Sequence, residues 1–139
     1  MTSSYELFPH GADTGVRGRG RNREAAFEQA ALALTAIVTD PADISPNTVI
    51  EIECEAPDDA LLLSDWLNAI IFQMSVRKMV FGRYAVAIDG RKLTGRAWGE
   101  PIDRIRHAPA VEPKGATLTA LDVRQTQDGA WIAECVIDV

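Results

Sequence analysis

From Arg23 to Val38 the apolar residues Phe27, Ala30, Ala31, Leu34, Ile37 and Val38 return every three or four positions, a spacing that gathers them on one face of a helix. Asn22 is placed to cap the start of this helix, and Asp40-Pro41 stops it. Between Val49 and Ala56 the period changes to two. Ile50, Ile52 and Cys54 alternate there with Glu51, Glu53 and Glu55, the pattern of a strand with one buried face. A second helix is predicted after Pro57, capped by Asp58, with Leu62, Leu63, Trp66, Leu67, Ile70 and Met74 forming a broad apolar face.

Shorter extended segments occupy the rest. Tyr5 to Phe8 reads as a strand broken by Pro9 and Gly11, and Thr14 to Arg19 as a second, with a tight polar bend carrying His10 and Asp13 between them. Tyr84 to Ile88 and Lys92 to Trp98 flank Asp89-Gly90, a pair suited to a two-residue hairpin. Asp128-Gly129 similarly joins Thr117 to Gln125 with Trp131 to Val139. Gly99 to Gly115 is rich in proline and charge and reads as an ordered loop. These elements predict an α+β fold: a two-layer sandwich of two amphipathic helices on a mainly antiparallel sheet, in a single domain spanning 1–139.

A formal net charge of −6 and a pI near 4.8 change the functional picture, because such a surface repels polyanions at long range. Contact with RNA would require a local basic patch or another protein. Cys54 and Cys135 stand far apart, outside any metal or redox motif, and read as small core residues. The opening residues lack the basic and apolar regions of a signal peptide, and no apolar run is long enough to span a bilayer, so a cytoplasmic location without membrane attachment is expected.

Asp13 lies in the bend His10-Gly11-Ala12-Asp13, where a carboxylate is easily aimed outward or bonded to its own turn. Near the other end, Asp138 falls on the strand face opposite Ile137 and Cys135, beside the main-chain carboxylate of Val139. Should the bend and the last strand meet, up to three oxygen donors converge, a set suited to a hard cation such as calcium or magnesium and poorly suited to zinc. Glu100, Asp103 and His107 share a segment with Arg104 and Arg106; they read either as an acid/base group or as a salt-bridged loop. Lys114, between Pro113 and Gly115, is positioned to meet a phosphate or an acidic partner, or else is a solvated lysine. His10 reads as a residue that fixes the bend. No phosphate loop, dinucleotide fingerprint or serine-nucleophile motif occurs, so no complete catalytic constellation is present.

Taken in order, His10-Gly11-Ala12-Asp13, Glu24-Ala25-Ala26-Phe27-Glu28-Gln29-Ala30-Ala31, Asp65-Trp66-Leu67-Asn68, Gly99-Glu100-Pro101-Ile102-Asp103, Arg106-His107, Lys114 and Ile137-Asp138-Val139 resemble the archease family across almost the whole chain. The resemblance implies a non-enzymatic helper that promotes guanylylation and multiple turnover of a GTP-dependent RNA ligase in tRNA splicing or RNA repair, touching RNA only through that ligase. It also implies a divalent metal, calcium with magnesium or manganese as alternatives, held by Asp13, Asp138 and Val139. Lys114 takes the place of the family's important lysine, and Glu100, Asp103, His107 and His10 are expected to contact the partner or a phosphate. The chain departs from the family pattern at Gly11, where threonine is usual, at Ala69, usually acidic, and at Leu118, usually tyrosine. Two rival functions follow from the residues themselves. One is a metal-assisted phosphoester hydrolase using Glu100, Asp103 and His107, and the other a general chaperone or interaction module.

Overall fold

The helical period is realised as α1 (Arg23–Val38) and α2 (Asp59–Arg77) in the computed structural model, which describes residues 2–139. Both N-termini are capped as their sequences require: the Asn22 side chain accepts from the Ala25 N–H at 2.8 Å, and Asp58 from the Leu61 N–H at 2.8 Å. Thr39 closes α1, and Asp40 then caps a single 3-10 turn, Pro41–Asp43. Lys78 closes α2 in the left-handed region at φ 55.

Eight strands run among the described residues: β1 (Ser4–His10), β2 (Asp13–Gly20), β3 (Thr48–Glu55), β4 (Met79–Asp89), β5 (Lys92–Pro101), β6 (Gly115–Ala116), β7 (Asp122–Gln125) and β8 (Trp131–Asp138). They form two antiparallel sheets where the sequence predicted one. The first has the order β1-β2-β8-β6, with β7 also paired to β8, and the second the order β3-β5-β4. The expected α+β class holds. Among the described residues no helix is long and apolar enough to cross a membrane.

Helix α1 packs against β2 and β8 of the first sheet and also against β4 of the second. Its burial is therefore wider than the one face predicted: Ala26 and Ala33 have no exposed surface, and buried Thr35 donates to the Phe81 carbonyl at 2.6 Å and pairs with the Tyr84 hydroxyl at 2.7 Å. A helix enclosed on two sides must be apolar on both. Gly18 explains the close approach to β2, since a Cβ there would overlap the backbone of Ala26 and Ala30. Helix α2 lies over β3, β4 and β5 and touches β6, and one hydrophobic cluster joins both helices and both sheets.

Three local expectations need correction. Pro9 does not end β1; it pairs with Thr14 because β1 is a sheet edge, where a missing N–H faces solvent. The β4–β5 loop is Gly90-Arg91, one residue later than predicted, with Gly90 at φ +61 in its first position. The segment Thr117 to Gln125 is not one strand. Regular pairing with β8 ends at Ala116, Thr117 and Thr119 remain bonded to Val136, and the chain then passes through Ala120 at φ 53 and pairs with β8 again as β7 from Asp122.

Candidate functional site

The register between β2 and β8 pairs Thr14 with Ile137 and Val16 with Cys135, so the next step outward sets Asp13 against Asp138. Val16 and Cys135 point into the core against α1, while Arg17 and Glu134 point the other way. By alternation Asp13 and Asp138 share the outer face with Arg17 and Glu134. On the neighbouring strand His10 pairs with Asp13, and beyond Asp138 lies Gly115 of β6. One row across the end of the first sheet thus reads His10, Asp13, Asp138, Gly115, with Val139 beside it. Opposed residues on one face of an antiparallel pair have Cβ atoms about 4.5–5.5 Å apart.

The next rows explain why this end stands out. Phe8 lies over Gly15, where any Cβ would strike its ring, and the Arg17 guanidinium sits 4.5 Å from that ring's centre. Arg17 bonds Glu6 at 2.7 Å and Glu134 at 2.6 Å, and Glu134 also pairs with Arg124, which reaches Asp122 at 2.9 Å. Every charge along this ladder has an ion-pair partner. In contrast, neither Asp13 nor Asp138 has an ion pair among the described residues.

Lys114 is brought to the same end by main-chain bonding, its N–H donating to the Asp138 carbonyl at 2.8 Å. The two-residue strand β6 that follows is clamped from the helix side by Asn68, whose Oδ1 accepts from the Ala116 N–H at 2.9 Å and whose Nδ2 donates to the Ala116 carbonyl at 3.4 Å. Asn68→Ala is expected to cost about 1 kcal/mol and to speed amide exchange at Ala116. Unchanged protection of that amide would show that the clamp is not needed.

Glu100 and His107 lie inside the protein, 6% and 3% exposed, rather than on a rim open to a partner. Glu100 accepts from the Ser45 N–H at 2.6 Å, pairs with Arg106 and meets His107 Nε2 at 3.1 Å. His107 Nδ1 accepts from the Asp103 N–H at 2.8 Å, which leaves the ring's proton on Nε2, directed at Glu100. The Asp103 carboxylate accepts from the Ile105 and Arg106 N–H groups and so shapes the turn. This is the salt-bridged loop of the two readings, and its groups face one another rather than a shared open cleft. Arg106, then Ser45 and His107, hold the Glu100 carboxyl down at about 2. A depressed carboxylate contributes stability above its unfolded value, and that stability drains away as pH falls toward the folded one. Denaturation measured against pH should accordingly show a loss between about 4.5 and 2 that Glu100→Gln lacks.

Burial, and then the nearby Asp65 and Glu134 charges, push the thiols of Cys54 and Cys135 up to about 11 and about 12, which makes both poor nucleophiles. Among the described residues no three His, Cys, Asp or Glu side chains are grouped to hold a metal ion. The Asp13–Asp138 pair is a two-carboxylate set, which fits a hard cation only with main-chain or water oxygens completing the shell. Sequence reasoning did not find Asn68 as a positioning residue, although an amide beside the buried Trp66-Leu67 pair on an exposed helix face was the available signal.

Residues 5–139 match the Archease protein family (MTH1598/TM1083). The protein archease of Pyrococcus furiosus is 35% identical over 97% of this chain and 98% of its own length, and that of Methanopyrus kandleri is 35% identical over 97% and 99%. The solution structure of Methanobacterium thermoautotrophicum protein 1598 superposes with a TM-score of 0.85 at 30% identity, covering 98% of this chain and 99% of the other. An archease of Thermotoga maritima, described as a possible chaperone, shares the fold with a TM-score of 0.63 at 16% identity over 96% of each chain. With the match running through the bend at Asp13 and the strand at Asp138, the chain belongs to the archease family.

Proposed function

We propose that this chain is a single-domain, metal-binding accessory protein that activates a GTP-dependent RNA ligase, promoting its guanylylation and repeated turnover without catalysing a reaction of its own. The observation that carries this reading is the β2–β8 register, which sets Asp13 opposite Asp138 on one outer face, neither with an ion pair on a face where the charges of the next rows are paired. Like charges directly opposite on a sheet repel, and a shared cation removes the repulsion. Asp13, Asp138 and a main-chain oxygen of Val139 would hold the ion, calcium by preference. When bound it supplies a concentrated positive charge able to attract phosphate oxygens. Lys114, tied to the same strand through its own backbone, adds a second cation at that end, and His10 completes the row.

The chain's net charge of −6 suits docking at a basic nucleotide or RNA site on the ligase better than direct RNA binding. The test combines the purified ligase, GTP and manganese with and without this chain and follows covalent transfer of the nucleotide to the ligase. Acceleration is expected with the wild-type chain and should be largely lost with Asp13→Ala and with Lys114→Ala. No acceleration, or acceleration indifferent to Asp13→Ala, would rule the reading out.

A further inference from the structure

A second surface, beside α2, shares only Lys114 with the end of the sheet that carries the metal row. Between the C-terminal half of α2 and residues 102–114 runs a groove formed by two adjoining cavities that share Ile71, Ser75, Glu112 and Pro113. Beside a cavity of about 520 Å³ at Phe72 and Lys114, the cavity over Met74 and Met79 has a volume of about 320 Å³, room for one or two large side chains. Its floor is aliphatic and thioether, including Met74, Met79, Val80 and Ile102. Methionine-lined floors adapt to different apolar side chains. Phe72, which lines the neighbouring cavity, is 60% exposed, and Val76, one turn further along α2, is 56% exposed.

The rim has the opposite sign to the protein as a whole. Lys78 and Arg104 line the cavity over Met74 and Met79, and Lys114 the one at Phe72, against one carboxylate, Glu112. None of the three cations has an ion pair among the described residues, which leaves their charge available at the rim. Lys78 also holds the left-handed conformation at the end of α2, where glycine sits without strain. A cation there suits the negative end of the helix dipole and places its charge at the rim of the groove.

We propose that this groove docks an acidic segment of a partner protein, one that inserts one or two large apolar side chains between α2 and the 102–114 loop while its carboxylates meet Lys78, Arg104 and Lys114. The aliphatic and thioether floor under a basic rim favours such a segment over a nucleic-acid strand, which requires more base-stacking surface than the single Phe72 ring offers. Its test rests on Lys78 and Arg104, because Lys114 is shared with the proposed ligase contact.

Selection of random displayed peptides on the intact chain tests it. Enriched peptides should carry Leu, Ile, Met or Phe flanked by Asp and Glu, and should bind at least about fivefold more weakly to a Lys78→Gly, Arg104→Ala double variant. Lys78→Gly relieves the helix-end strain, so this variant keeps its fold, and circular dichroism verifies that. No enrichment, enrichment of basic peptides, or binding indifferent to the double variant would overturn the proposal. Binding of oligouridylate that the same variant abolishes would overturn it in favour of a single-stranded nucleic acid.

Discussion

Replacing Asp138 with asparagine is expected to reverse the sign of its effect on stability when calcium is added. Without a cation, Asp13 and Asp138 face each other on adjacent strands with no positive partner, an arrangement that costs roughly 0.2–1 kcal/mol. Removing one charge should then leave the protein unchanged or slightly more stable. With calcium at about 100 times its dissociation constant, a site present only in the folded state adds about 2.7 kcal/mol. For a chain of this size that corresponds to a rise of roughly 8 °C in Tm, which Asp138→Asn should largely lose. Asp13→Asn should behave alike. Lys114→Ala, which removes no oxygen donor, should keep the calcium shift while failing in the ligase assay. Scanning calorimetry with calcium and with a chelator provides the comparison. An undiminished shift in Asp138→Asn would remove that residue from the site.

Trp66→Ala is expected to be the most damaging single truncation, costing about 3–5 kcal/mol of a total stability of about 5–15. The ring is fully buried, its Nε1 donates to the Phe27 carbonyl at 3.2 Å, and it meets Tyr84 edge-on with centroids 6.0 Å apart. It also occupies the space that a side chain at Gly95 would need. One residue therefore joins α2 to α1, β4 and β5, and its loss leaves a cavity that rigid neighbours on three elements close only in part. Gly95→Ala should destabilise by the converse route, forcing a Cβ into the same ring. Urea denaturation measures both. A loss below about 1 kcal/mol for Trp66→Ala would mean that the core can repack around the gap.

Helix limits and caps were legible in the residues because they are local. Asn22 and Asp58 cap their own first turns, and the apolar spacing fixes where α1 runs. What the spacing concealed was the second contact of α1 with β4, since small residues such as Ala26 and Ala33 carry little periodic signal. Pro9 misled because the rule against proline in strands depends on whether the strand is an edge, a tertiary fact. The division into two sheets and the detour between β6 and β7 depend likewise on pairings between distant segments.

The site divides in the same way. Asp13 and Asp138 were each identifiable as candidates, and the family resemblance joined them. Their adjacency follows from the register of β2 on β8, which alternation within either strand does not encode. Glu100 and His107 drew attention by their charge. Their burial against Ser45 and Arg106 is set by how the loop after β5 folds back onto the turn after α1, beyond the reach of sequence spacing.

The most direct measurement is a crystal structure determined with calcium. Shared ligation requires one ion bound by a carboxylate oxygen of Asp13 and one of Asp138, each about 2.3–2.6 Å away, and loss of that density in Asp13→Asn crystals. Calcium bound elsewhere, or two free carboxylates at saturating calcium, would contradict it.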